Sequence, residues 1–206
     1  MTPARARRPY HHGNLRAALL AAAAEEIESV GTAGLSLRGL ARRAGVSHAA
    51  PAHHFGDKRG LFTALAAEGF QMLHQRTRST LGRPDALVAA GQRYVAFALE
   101  HPAHFEVMFE TSLLDPADEE LVRERDVAFA VLYQTLQTGT GVTSDEQLIA
   151  QATGAWVVVH GVATLWLTGN LPFARNPRLV PRVFRDLAPA LLAVVETSLE
   201  QLRPAT

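Results

Sequence analysis

Apolar residues recur along this chain every third or fourth position, and no sustained apolar–polar alternation interrupts them. The pattern predicts an all-α protein. A first helix is expected from about Asn14 to Val30, with Leu15, Leu19, Ala23, Ile27 and Val30 on one stripe and "GTAG" stopping it. Ser36 is placed to cap a second helix, in which Leu37, Leu40, Ala41 and Ala44 fall at helical spacing before Gly45 ends it. Ser47 is expected to cap a third, short helix. Pro51 would then be its fourth residue, where a missing N–H costs only the first bond. Gly56 breaks that helix, and Asp57 caps a longer one carrying Leu61, Phe62, Leu65, Met72 and Leu73.

The rest of the chain follows the same period. "LGRPD" separates the first part from a body whose first helix is expected over Pro84–Glu100 and turned by His101-Pro102. A short apolar helix then holds Phe105, Met108 and Phe109. "DPADEELVRERD" opens another, with Phe129, Leu132, Tyr133 and Leu136 on one stripe and an end near Gly139. Ser144 and Gln147 read as a capping box for a long helix. "PFARNPRLVP" is a connector, and Asp186 is placed to cap a last helix with Pro189 in its first turn. No formal charge occurs from Leu148 to Ala174, which imitates a membrane span. Gln151, Thr153, His160, Thr164, Thr168 and Asn170 dilute it, and Asp145 and Glu146 stand where a basic flank would be. A helix buried on most sides is the better reading. The arginines before "LRAALLAAAA" imitate a signal peptide equally faintly, since Arg16 interrupts the run and no small-residue cleavage pattern follows.

Composition changes this picture in two places. The 206 residues contain no cysteine, which excludes disulfides and thiolate metal sites and fits a reducing, cytoplasmic setting. The net charge of zero conceals an asymmetry. Residues 1–60 carry nine Arg or Lys against four Asp or Glu, a net of +5, and residues 61–206 carry eleven against sixteen, a net of −5. A basic first module on an acidic body points to a polyanionic partner for that module.

Two short helices joined by a glycine-containing turn, after a longer helix, form a helix-turn-helix arrangement. In such a motif the second short helix enters the DNA major groove with its N-terminal residues at base edges. Here that helix carries His48, His53 and His54. At about 100° per residue, His48 and His53 lie about 140° apart, and no pair has the four-residue spacing of a helical metal pair. His48 is thus a candidate base or phosphate contact and His53 a phosphate contact, whereas His54 is expected to turn inward.

"LSLRGLARRAGVSHAAPAHHFGDKRGLFTAL", residues 35–65, resembles the DNA-binding domain of the TetR family of transcriptional regulators. Gly45-Val46-Ser47, Phe55 and Lys58 fall at that family's glycine-valine-serine turn, phenylalanine and lysine, and Leu40-Ala41 and Leu61 match its helix-packing positions. Trp156, His160 and Gly161 are similar to a tryptophan-histidine-glycine motif of one subgroup, as is "HPAHFEVMF" at 101–109. One position departs: Ala52 stands where the family usually has a phosphate-contacting tyrosine. The resemblance implies an all-helical homodimer. Its expected parts are a basic arm at 1–12, a helix-turn-helix domain at 13–58, a connecting helix at 59–81, and a ligand-binding and dimerisation domain at 84–206.

On this reading Arg38, Ser47, His48, Ala49, Ala50, His53 and Lys58 face double-stranded DNA. Lys58 sits in a helix first turn suited to phosphate, and Ala49 and Ala50 let the helix sit deep against thymine methyls. The arm arginines track the backbone or a minor groove, while Arg42 and Arg43 read as solvated surface. In the body, Phe97, Phe105, Met108, Phe109, Phe129, Tyr133, Trp156 and His160 are candidates to line a cavity for a largely apolar small-molecule effector, or simply to form core. An imidazole in an uncharged helix needs a partner; for His160 a buried carbonyl, the Tyr133 hydroxyl or a ligand would serve. Gly154 and Gly161 mark one candidate dimer face, and the Leu187, Leu191, Val194 and Val195 stripe another. No cofactor or metal site is expected, and no catalytic constellation appears. The expected function is a ligand-responsive repressor binding a palindromic operator as a homodimer. The alternative is an interaction protein that kept the fold but lost sequence-specific DNA binding.

Overall fold

The structure is a computed structural model that describes residues 15–139 and 144–171. The arm and the last helix with its Leu187–Val195 stripe lie outside the described residues. Eight α-helices occur among the described residues, with no strand: α1 (Leu15–Gly34), α2 (Leu37–Ala44), α3 (Ala50–Phe55), α4 (Lys58–Thr77), α5 (Ala86–Glu100), α6 (Pro102–Phe109), α7 (Glu119–Gly139) and α8 (Asp145–Leu167).

The helix ends follow local chemistry. Ser36 Oγ accepts the Gly39 N–H at 3.1 Å, and Gly45 closes α2 in the left-handed region with φ 67°. Asp57 Oδ1 accepts the Gly60 N–H at 2.8 Å, and Ser144 Oγ accepts the Gln147 N–H at 3.2 Å. Gly31, at φ 72°, breaks α1 before its final turn. That break leaves Val30, expected on the buried stripe, 52% exposed. Helix α5 opens at Ala86 rather than Pro84. The Asp85 carboxylate is engaged by the Arg83 guanidinium at 2.8 and 3.1 Å and caps no N–H of α5.

Helix α3 also starts later than the sequence pattern predicts. Pro51 has no N–H to give the Ser47 carbonyl, so that carbonyl accepts the Ala50 N–H at 3.0 Å instead. The tighter turn moves the first helical residue to Ala50 and puts Pro51 in the first turn. Ser47 therefore lies ahead of the helix and is not its capping residue.

The main apolar core runs from Leu19, Leu20 and Ile27 on α1 through α4 to Phe97 on α5 and Trp166 on α8, with a smaller cluster of Leu136, Leu148 and Ala152 between α7 and α8. Helix α4 is its axis. It packs against α1 and α3 near its start and against α5, α6 and α7 along its length. Two glycines make these approaches possible. At position 60 any Cβ would collide with the Phe55 carbonyl oxygen, and at position 69 it would meet Met108 Sδ.

The α3–α4 corner thus tolerates no side chain at position 60. Gly60→Ala is expected to lower stability by about 1–3 kcal/mol, the usual cost of forced overpacking. Thermal unfolding measures it; an unchanged melting temperature would contradict the close approach.

Candidate nucleic-acid interface and ligand cavity

The helix-turn-helix presents a small exposed surface. Arg38 at the start of α2, then Ser47, His48 and Ala49 in the turn, then Ala52 and His53 on α3 are exposed. Pro51 and Phe55 are buried and Ala50 is half-buried, so α3 turns one face inward and the other out. Arg38, Ser47, His48, Ala49 and His53 are thus all open to solvent, while Ala50 is half-buried. His54 is half-buried, its ring 6.1 Å from that of Phe55. Arg42 is exposed, while Arg43 lies 3.5 Å from Glu26 and 3.7 Å from Glu25.

Lys58 is placed differently from the other candidates. Its Nζ donates to the Ala33 carbonyl at 3.2 Å and sits over the Phe62 ring, 5.4 Å from the centroid. The ammonium thus ties the start of α4 to the chain after the Gly31 break. Arg16, which the sequence reading passed over, bonds Glu120 at 3.0 Å and lies over the Phe55 ring.

Further contacts join this module to the body. Arg59 Nε and Nη2 both donate to the Leu114 carbonyl, at 2.8 and 2.7 Å. The Asp115 N–H donates to Thr63 Oγ1 at 2.9 Å. The segment before α7 is thereby fastened to the first two turns of α4.

In the body, α4 to α8 line a partly open apolar cavity. It offers about 70 Å3 to the centres of water-sized spheres, several times the roughly 10–15 Å3 that one water needs on that measure. Phe70, Leu73, Tyr94, Phe109, Phe129 and Trp156 form much of its wall. Of the predicted residues, Phe109, Phe129 and Trp156 belong to it. Phe97, Phe105 and Met108 are buried core instead, at 0, 5 and 3% exposure. Tyr133 lines an open groove on the outer side, about 500 Å3 on the same measure, and Phe129, Leu132 and Trp156 stand between groove and cavity. The α4 contribution was missed because that helix was read as a connector. Phe70, Leu73 and Thr77 at helical spacing are the signal that would have found it.

His160 finds a tyrosine partner, but it is Tyr94 rather than Tyr133: the Tyr94 hydroxyl lies 2.9 Å from His160 Nδ1. His160 is also stacked among Phe105, Phe109 and Trp156, with its ring 4.6 Å from that of Phe109. Burial lowers its pKa below the ordinary imidazole value and pushes the Tyr94 hydroxyl well above the usual phenol range. Both groups are therefore uncharged near neutral pH. His101 and His104, adjacent at 5.8 Å, are separately committed. His101 Nε2 is 3.0 Å from Arg76 Nη2, and His104 Nε2 is 3.0 Å from Glu68 Oε2. Among the described residues no group of three or more potential ligands is arranged to hold a metal.

The architecture defines the class: a helical protein with an N-terminal helix-turn-helix on a helical, cavity-bearing body. Residues 19–65 match the family described as bacterial regulatory proteins, tetR family, and residues 87–191 match the tetracyclin repressor-like C-terminal domain. The chain belongs to the TetR family of transcriptional regulators. A Rhodococcus sp. RHA1 protein of unknown function is 31% identical, with a TM-score of 0.74 over 91% of this chain and 98% of that one. The TetR-family regulator PfmR of Thermus thermophilus is 20% identical, with a TM-score of 0.65 over 85% and 97%. A TetR variant of Acinetobacter baumannii AYE, solved in complex with minocycline, is 19% identical, with a TM-score of 0.61 over 96% and 100%. No curated protein matches the chain.

The two lowered imidazoles set a pH dependence. For His101 the cause is burial first, then the Arg76 charge; for His160 it is burial. The unfolded chain takes up protons near pH 6.5 that the folded chain refuses, so their contribution is full above that value and declines as pH falls below it. The melting temperature is expected to drop between about pH 7.5 and pH 5.5, and less steeply in His101→Gln/His160→Gln. Parallel wild-type and double-variant profiles would contradict this assignment.

Proposed function

We propose that the protein is a ligand-responsive repressor that binds a palindromic operator as a homodimer. The observation that carries the reading is that one helix serves both sites. Helix α4 begins against the helix-turn-helix at Lys58 and Phe62 and ends as cavity wall at Phe70, Leu73 and Thr77. A molecule that spreads the cavity acts on the same rigid element that sets the helix-turn-helix. Arg59 and Thr63, joined to residues 114 and 115, give the body a direct grip on it. An effector that prefers one α4 placement shifts the population towards dimers whose α3 helices no longer match half-sites about one DNA turn apart. The minocycline complex of the Acinetobacter protein supports a small-molecule role for this type of body.

Helix α8 supplies the argument for pairing. It is long and apolar enough to cross a membrane, with a mean hydropathy of 1.5, yet only 28% of its apolar window is buried. Ile149 and Val157 are 56% and 55% exposed, two turns apart on one face, with Thr153 and Thr164 beside them. Such a stripe asks for a cover, and a second copy provides it with two-fold symmetry. Gly154 is buried and Gly161 half-buried, so the glycines flank this stripe rather than centre it. The second reading, an interaction protein without sequence-specific DNA binding, is favoured by exposed Ala52 alone: its methyl offers no hydroxyl to a phosphate.

Gel retardation with the DNA beside the protein's own gene decides between the two readings. The repressor reading expects a retarded complex whose affinity falls by about a thousandfold or more between roughly 50 and 200 mM salt. No retardation at low salt favours the interaction protein. His48→Ala is expected to change base preference, whereas Arg38→Ala lowers affinity for all sequences alike. Unchanged preferences in His48→Ala would remove it from the readers. Val157→Asp should yield monomers in sedimentation and lose operator binding; a variant that stays dimeric would place the interface elsewhere.

A further inference from the structure

Helix α3 carries a single exposed polar side chain, that of His53. Of its residues, Ala52 and His53 are open to solvent, Pro51 and Phe55 are buried, and Ala50 and His54 are half-buried. The His53 N–H donates to the Ala49 carbonyl one turn back, at 2.9 Å, so exposed Ala49 and His53 share one face of the helix. Ala49 and Ala52 present only methyls. The polar contact that this exposed face can make is therefore the imidazole's.

No Lys or Arg stands on α3. The cations on the elements around it are largely committed elsewhere. On α4, Lys58 Nζ donates to the Ala33 carbonyl and Arg59 to that of Leu114. On α2, Arg43 lies beside Glu25 and Glu26, and Arg38 and Arg42 are the other exposed cations. Arg16 of α1 bonds Glu120. Asp57, the carboxylate that follows α3, accepts the Gly60 N–H. The His54 ring lies 5.6 Å from that of His53, edge to face. Positive charge on α3 itself can come only from an imidazole that takes up a proton.

Imidazole is the side chain that ordinarily gains its charge between about pH 8 and pH 5. A hydrogen bond from an imidazolium to a phosphate oxygen is charge-assisted and about twice as strong as one from the neutral ring. DNA therefore selects the protonated form. We propose that operator binding is proton-linked through His53: α3 docks with this imidazole protonated against a DNA phosphate, and affinity rises as pH falls. The inference rests on the operator-binding reading above and deepens it, because acidity becomes a second input beside the effector. The coupling is reciprocal, so bound DNA also holds the proton on the ring.

Fluorescence anisotropy tests this with the full-length protein and labelled DNA from beside its own gene, at about pH 8 and about pH 6 and well below the melting temperature. Wild type is expected to bind about tenfold or more tightly at the lower pH, through one charge-assisted contact from each protomer. Neutralising one further phosphate per protomer should steepen the slope of log affinity against log salt by about 2. His53→Gln, which keeps a donor but gains no charge, should lose most of both effects. His48→Gln should keep most of both, whatever it does to base preference. Equal wild-type affinity at the two pH values, a gain that survives His53→Gln or vanishes in His48→Gln, or a gain with no steeper salt slope would each overturn the assignment. DNA bound without a pH gain removes the proton linkage alone. If no fragment is bound at either pH, the operator-binding reading falls with it.

Discussion

Helix α4 has to be buried on nearly every side, and the rest of the molecule is arranged around that constraint. Leu61, Phe62, Leu65, Ala66, Phe70 and Leu73 are all buried, which no single packing face would achieve. The helix manages it by alternating large and small. Ala66, Ala67 and Gly69 admit close neighbours, while Phe62 and Phe70 reach into the spaces on either side. Because well-packed interiors are stiff, a rod held this way moves as a unit. Its two ends cannot be repositioned independently, and those ends touch the helix-turn-helix and the cavity.

Much of this was legible in the sequence, where local chemistry governs. Ser36, Gly45, Asp57 and Ser144 end or begin helices as their side chains and backbone freedom predict, because a cap involves only residues three or four apart. The exposed set around His48 was also legible, since the inward positions of a three-helix unit follow from period alone. One misreading was local, and others lie where distant segments meet. Pro51 displaced the start of α3 through a carbonyl it cannot bond. The Lys58 bond to the Ala33 carbonyl, 25 residues away, could not be read from local pattern. Helical periodicity marks Phe97 and Met108 as apolar but does not say whether an apolar side chain meets a void or a neighbour, and these two meet neighbours. For the same reason Tyr94 was overlooked in favour of Tyr133: the helix on which each sits faces a different side of Trp156.

The body is a low-polarity chamber set on a charged frame. Outside it, Arg76 joins Glu100 at 2.6 Å and His101 at 3.0 Å, while His104 joins Glu68 across the α4–α6 contact. Beside it, Tyr94 and His160 bond each other and hold no net charge near neutral pH. The division is consistent with the cost of burying ions: the Arg76 and Glu100 charges stay where water shares them, and the interior keeps groups that can be neutral.

The fork of Arg59 closes on a peptide oxygen, that of Leu114. Every amino acid carries that oxygen, so evolutionary drift at position 114 leaves this fastening intact so long as the local trace persists. The guanidinium has no such latitude, since lysine would bring a point charge in place of two parallel donors. The fastening is therefore chemically one-sided in its hydrogen bonds: Arg59 and Thr63 on α4 supply side chains, and residues 114 and 115 supply backbone.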